Sequence, residues 1–355
     1  PRQDGTYSLH GDKWFCSNAD ADVVLVLARM QDGPPGLKGV SLFLMPRVLP
    51  DGTANALRIV RLKDKLGTRS MASGEVRLEG AVAWLIGDPQ AGFNQMAGMI
   101  NSSRLSNGVR SAGLMRRAVQ EALFVARNRL AFGQRLIDLP LMQRQLAKML
   151  MRAEQARSVA FQAADAMRKA DEGDMQAKRL LRILTPLLKF RACRDARIVT
   201  GDAMEVRGGC GYVEEWPDPR LLRDAHLGSI WEGTSNVVAL DVLRAARKEG
   251  GFDALSAHVG GLLAEAPMED CAGALERASS LLQRAHRNEA FARSAASALY
   301  HIASAAMMAW EARRLGDVQR AFLARMVLQH RVLPRDPLED PAVDQIALLE
   351  LLEAA

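Results

Sequence analysis

Cysteine is scarce: Cys16, Cys193, Cys210 and Cys271 are the only four in 355 residues. They are widely separated and form no Cys-x-x-Cys pair. This excludes a disulfide framework and a cysteine-based metal site, and predicts free thiols in a reducing, cytoplasmic setting. No uninterrupted apolar run of about 20 residues occurs and no signal peptide is evident, so no membrane partner is expected. The apolar stretch Ala295–Trp310 contains His301 and many small residues, and predicts a buried helix. Neither an internal repeat nor a low-complexity tract is present. Lysine disappears after Lys248, and residues 251–355 carry 10 Arg against 14 acidic residues. That region is net −4 within a chain of net +6, which leaves residues 1–250 at +10. Such a balance suits an anionic partner, but also an ordinary helix surface. An initiator methionine is lacking too: Pro1 stands directly before a strand-like pattern, as expected of either a fragment or a trimmed chain.

What is there reads as a mixed, mainly α protein. Charged residues at 25% and hydrophobic ones at 48% describe a typical globular chain. Residues 1–90 predict a partial β-barrel or sandwich. Tyr7–Ser17 reads as two strands joined at His10-Gly11-Asp12, followed by strands at Val23–Arg29, Val40–Met45, Leu57–Leu62 and Gly74–Leu78. From about Gly92 the period becomes helical, through Met99–Arg129, Leu141–Ala170 and Met175–Thr200. Pro186 is expected to kink or break the third of these. Residues 91–250 thus predict a four-helix bundle. Beyond Gly250-Gly251, a helical extension over 251–355 is predicted at Phe252–Ala264, Met268–Arg287, Glu289–Arg314, Asp317–Leu333 and Asp340–Glu353.

Two adjoining motifs carry the chemistry. Arg207-Gly-Gly-Cys-Gly-Tyr212 lets backbone approach a ligand closely, since glycine lacks a Cβ and tolerates positive φ. On its own such a run is usually a turn. Trp231-Glu-Gly-Thr-Ser-Asn236 places a carboxylate before a helix N-terminus that opens into Val237–Leu243. Burial beside Trp231 favours the neutral acid and suits a general base, whereas the helix dipole favours the charged form.

Taken together, these motifs resemble the carboxyl-terminal signature of the acyl-CoA dehydrogenase flavoenzymes. The resemblance runs from about Tyr7 to Arg247. It is nearest to the isovaleryl-CoA dehydrogenase-like branch linked to the adaptive response to DNA alkylation. It implies that Glu232 is the catalytic base, with Trp231 where many relatives have tyrosine. It places Gly208, Gly209, Gly233, Thr234 and Asn236 against FAD. Lys13-Trp-Phe-Cys-Ser-Asn18 is similar to the family's flavin-facing strand, which implies flavin contacts at Trp14, Phe15, Cys16 and Ser17. The loop within Arg61–Val76 is also similar to the alkylation-response branch.

Arg127-Asn-Arg-Leu-Ala-Phe-Gly-Gln-Arg-Leu136 resembles the family's Arg-x-x-Phe-Gly motif. It implies that Arg129 and Phe132 reach the FAD of a neighbouring subunit in a homotetramer. A guanidinium suits this because its fork donates paired hydrogen bonds to a pyrophosphate. The resemblance also implies substrate-binding positions for acyl-CoA at Asn101, Arg104 and Trp231. The sequence departs from the family at Leu139-Pro140 and at Glu205, where relatives carry an aromatic-Gln pair and a glutamine.

The resemblance therefore implies FAD-dependent dehydrogenation of a short or branched acyl-CoA. A second reading is a weakly catalytic or non-catalytic flavoprotein of the alkylation-damage response that binds or protects DNA. The third is a helical scaffold without cofactor. The net-acidic extension argues against tight DNA binding unless its arginines share one face.

Overall fold

The structure is a computed structural model describing residues 1–334, 338 and 345–355. They divide into two compact units, Pro1–Ser102 and Ser103–Ala355. The division falls within the first long helix.

The first unit is built on antiparallel strands β1 (Tyr7–Cys16), β2 (Val23–Arg29), β3 (Val40–Pro46), β4 (Leu57–Leu62) and β5 (Gly74–Ile86). Their order is β1-β5-β3-β2, with β4 also on β5. Strand β5 organises the unit. Gly74–Ala83 pairs with β1 and Gly74–Leu78 also with β4, and its last residues, Trp84–Ile86, pair with β3. Alternate inward residues, among them Leu9, Val26, Phe43, Val76, Leu78 and Ala81, form the core.

Two sequence expectations need correction here. Tyr7–Cys16 is one strand, not two, and β5 runs on past Leu78 to Ile86. In both, a glycine imitates a turn. Gly80, at φ 94°, is skipped where Leu9 pairs with Ala81 and His10 with Glu79. It forms a bulge that bends the ladder without ending it. Gly11, at φ 129°, lies inside β1.

The second unit is helical. Helix α1 (Gly92–Asn128) is followed by a two-residue hairpin pair, β6 (Leu130–Ala131) and β7 (Gln134–Arg135). Then come α2 (Pro140–Asp171), α3 (Met175–Arg207), α4 (Asp218–Gly228) and α5 (Ser235–Lys248). The chain continues through α6 (Gly251–Glu265), α7 (Cys271–Arg287), α8 (Ala292–Leu315), α9 (Val318–Arg331) and α10 (Gln345–Ala354). Part of the last expected helix, together with Pro337, lies outside the described residues.

Helix α3 runs unbroken across Pro186. Proline removes one backbone hydrogen bond, but Pro186 is buried beside Leu184, Leu187 and Leu188, whose packing offsets that loss. One apolar core extends from Ala112 to Leu352 and includes residues on both sides of Gly250-Gly251. That glycine pair makes a tight corner. Gly250 has φ 64°, and a Cβ on Gly251 would lie 2.8 Å from the Ala245 carbonyl oxygen. The expected buried helix is α8, in which Ala295, Leu299, Ala305 and Met308 are fully enclosed. Among the described residues all four cysteines are free, and no helix is long and apolar enough to cross a membrane.

Candidate active site

Helix α4 ends at Gly228, and the turn leading to α5 presents Glu232. Glu232 has φ 56°, a left-handed conformation that costs a non-glycine residue about 1–2 kcal/mol. Gly233 follows at φ 99°. Such strain persists only where the surroundings hold it, and here two cations do. Arg104 of α1 donates from Nε to the Glu232 carbonyl at 2.9 Å. Lys189 of α3 donates from Nζ to the Gly233 carbonyl. The Glu232 carboxylate itself is half-buried and makes no hydrogen bond among the described residues.

Arg104 is held from behind. Arg104 Nη1 donates to Asp241 Oδ2 at 2.8 Å, and Arg182 grips the same carboxylate at 2.7 and 3.2 Å. Asp241 is buried on the apolar side of α5, between Val238 and Val242. Lys189 is also buried, and burial pushes its ammonium below the usual lysine value. The Cys193 thiol opposes that shift, the charge on Arg104 adds to it, and Glu232 opposes it. Trp231 is fixed by a hydrogen bond from its Nε1 to Asn107 Oδ1 at 2.5 Å. The Arg110 guanidinium lies 5.3 Å from the Trp231 ring centroid.

The structure brings Glu232, Trp231, Gly233 and Arg104 together. Asn101 lies three residues before Arg104 on α1, half-buried and without a side-chain partner among the described residues. Two nitrogens of Arg104 are already committed to the turn and to Asp241, so much of its role is internal. Thr234 is the N-cap of α5, yet its hydroxyl makes no capping bond. Thr234 and Asn236 are both exposed. Among the described residues their polar groups have no hydrogen-bond partner beside the N-terminal amides of α5, an arrangement that receives anions readily.

A second cluster forms where α3 ends. Arg129 donates from Nη1 to the Arg207 carbonyl at 2.9 Å, and a Cβ on Gly208 would meet that nitrogen at 3.2 Å. The three glycines differ in purpose. Gly208 takes φ 73°, Gly211 lets the chain pass the Met204 carbonyl, and Gly209 faces open space. Phe132, at φ 52°, is 94% exposed. It sits on the β6–β7 hairpin away from any packing, and Arg129 is exposed nearby in sequence.

In the first unit, Trp14 and Phe15 stand out from the end of β1 at 62% and 70% exposure. Their rings meet edge to face at 6.4 Å. Lys63 lies over the indole with Nζ 3.2 Å from the centroid. Burial raises the Cys16 thiol pKa. Ser17 is exposed in the turn after the strand.

Matches to known proteins follow this geometry. Residues 1–81 match the model of the acyl-CoA dehydrogenase middle domain, and residues 90–246 that of the acyl-CoA dehydrogenase C-terminal domain. The chain belongs to the acyl-CoA dehydrogenase family. It is 42% identical over 258 residues to AidB of Escherichia coli, a protein named for these dehydrogenases, covering 72% of this chain and 46% of AidB. Identity to acyl-CoA dehydrogenase family member 11 of Caenorhabditis elegans is 40% over 273 residues, covering 75% of this chain and 44% of that protein. The chain thus spans about half the length of these curated relatives. The crystal structure of Caenorhabditis elegans ACDH-11 in complex with C11-CoA superposes with a TM-score of 0.87 at 34% identity. That match covers 95% of this chain and 61% of the other.

Within this acyl-CoA dehydrogenase framework, the motifs do not reveal Lys189, Asp241, Arg182, Asn107 or Arg110. A signal exists for two of them. Lys189 interrupts Leu187-Leu188 and Phe190, and Asp241 interrupts Val237–Leu243. A charge inside an apolar run needs a buried partner.

Proposed function

We propose that this chain carries the catalytic half of a FAD-dependent acyl-CoA dehydrogenase, with Glu232 as the base. The observation that carries the reading is the Trp231–Glu232–Gly233 turn, held left-handed by Arg104 and Lys189. A carboxylate on a turn fixed at two successive carbonyls is preorganised to meet an acidic C–H bond.

The residues fit the cofactor. In the second unit, exposed Arg129 offers guanidinium donors beside Gly208 and Gly209, and Thr234 and Asn236 offer polar groups at the start of α5. In the first unit, Trp14 and Phe15 supply an exposed aromatic surface, with Cys16 and Ser17 beyond it. FAD supplies hydride acceptance when bound. Glu232 takes the α-proton onto its carboxylate. Trp231, the residue before it, is pinned by Asn107, and Arg104 with Lys189 keeps the backbone of the turn from relaxing.

Acyl-CoA is the proposed substrate class, supported by the C11-CoA in the similar structure. Within it we assign short or branched chains, on the family resemblance. We also propose a homotetramer, in which Arg129 and Phe132 serve a partner subunit. The exposed apolar side chains Leu130, Phe132, Leu141 and Tyr212 support a covered face there. The free thiols support a cytoplasmic setting, and the three segments 1–90, 91–250 and 251–355 are proposed as parts with separate roles. A DNA-associated role without turnover is the second reading, supported by the +10 net charge of residues 1–250.

The test loads the chain with FAD and mixes it anaerobically with butyryl-, isovaleryl- and undecanoyl-CoA. Flavin bleaching that is lost in Glu232→Gln supports the dehydrogenase, and its rank order checks the chain-length assignment. Tight FAD binding without bleaching by any of the three overturns catalysis, and salt-dependent DNA binding would then favour the second reading.

A further inference from the structure

Four helices of the second unit turn arginines toward one hollow. A cavity of about 580 Å³ is lined by Arg191 and Arg194 of α3, Arg277 of α7, Arg293 of α8 and Arg331 of α9. Among the described residues no aspartate or glutamate lines it, and neither does any residue of the Glu232 turn.

The cations are poorly compensated. Arg191 Nη2 donates to Asp195 Oδ1 at 2.6 Å. Among the described residues Arg194, Arg277 and Arg293 have no ion pair and no side-chain hydrogen bond. Among the described residues the buried Nε atoms of Arg191 and Arg331 have no hydrogen-bond partner. Burial depresses the Arg194 pKa, and the neighbouring charges of Arg293 and Arg191 depress it further. Like charges gathered in a concave, partly desolvated space repel one another more strongly than on an open face.

We infer that this cavity binds a small polyphosphorylated anion, of the size of tripolyphosphate or the phosphate chain of a nucleotide. Guanidinium forks meet phosphate oxygens with paired, charge-assisted hydrogen bonds. Five of them around one hollow match a ligand of several negative charges. The volume suits a small molecule. A duplex would instead read an extended basic face, and residues 251–355, which supply three of the five arginines, are net −4.

The test is calorimetric titration of the full chain with inorganic tripolyphosphate, without FAD. The expected result is saturable binding, weakened about tenfold or more in the Arg194→Gln/Arg293→Gln double variant. Arg293 is exposed and Arg194 half-exposed, so the double variant should keep the parent's unfolding midpoint. An Arg313→Gln variant, altered at an exposed arginine outside this cavity, should bind like the parent. Absence of saturable binding, or equal binding by the double variant, overturns the inference. So does a 20-base-pair duplex that binds through Arg194 and Arg293 while tripolyphosphate does not bind.

Discussion

Lys189 donates a hydrogen bond to the carbonyl of Gly233, the residue that follows left-handed Glu232. This bond joins the middle of α3 to the turn that presents the carboxylate. Lys189→Met should leave the Gly233 carbonyl without its donor and cost about 1–3 kcal/mol in urea unfolding. Flavin reduction by acyl-CoA should slow as well, because the turn loses one of its two anchors. Unchanged kinetics in a folded variant would remove Lys189 from the positioning of Glu232.

Glu232 itself separates stability from activity. Glu232→Gln should lower the rate of flavin reduction by about 10²–10⁴-fold, with little change in the unfolding midpoint. Glu232→Gly should be as inactive yet more stable by about 1 kcal/mol, since glycine accepts φ 56° without strain. If Glu232→Gly proved less stable than the parent, that would count against stored strain.

The glycine cluster makes a paired prediction. A Cβ on Gly211 would lie 2.3 Å from the Met204 carbonyl oxygen, so Gly211→Ala should lower the melting temperature. Gly209→Ala meets nothing within 4 Å and should leave it unchanged. If the backbone there lies against FAD, only Gly209→Ala will weaken FAD binding while the fold stays intact, as fluorescence titration would show.

Arg320 of α9 is buried between two carboxylates. It donates to Glu154 of α2 at 2.7 Å, to Ser158 at 2.6 Å and to Glu311 of α8 at 2.5 Å. Arg320→Met would take the cation from Glu311, leave Glu154 to Arg157 at 2.7 Å and Arg116 at 3.6 Å, and should cost about 3 kcal/mol in denaturant unfolding. Far smaller losses would mean that water reaches the network.

His301 sets an acid limit. Burial pushes its pKa well below the ordinary histidine value, and the charges of Arg191, Arg331 and Arg152 act in the same direction. Its Nδ1 lies 3.0 Å from Gln155 Nε2, which fits a neutral ring accepting there. The unfolded chain binds this proton below about pH 6.5 while the folded chain does not, so stability falls as pH drops through that window. The slope should reach about 1.4 kcal/mol per pH unit for this one group. A His301→Gln variant should show a shallower dependence between about pH 6.5 and 5.

The sequence makes some of this legible and hides the rest for physical reasons. Helical periodicity locates α1 to α3 and α6 to α9 because each must present an apolar stripe to the shared core, and the cap after Glu232 marks α5, whereas short α4 (Asp218–Gly228) is not read from the sequence. Gly11 and Gly80 mislead, since a bulge and a turn demand the same backbone freedom and only the partner strand tells them apart. Trp231-Glu232-Gly233 can be found because its residues are consecutive. The clamp behind them is not visible: Arg104, Lys189 and Asp241 come from three helices, and pairing at such separations leaves no local trace. The arginine cavity has the same character, with its five residues spread from 191 to 331.

The continuous apolar core across Gly250-Gly251 bears on how the chain can be handled in practice. The two glycines invite a cut there, with the last hundred residues discarded as an appendage. A truncated product would carry the uncovered flanks of α2, α3 and α5, the former seats of α6, α8 and α9, as raw greasy surface. Such a shortened protein should come out of cells clumped, and any assay run on it would report its insolubility before its chemistry.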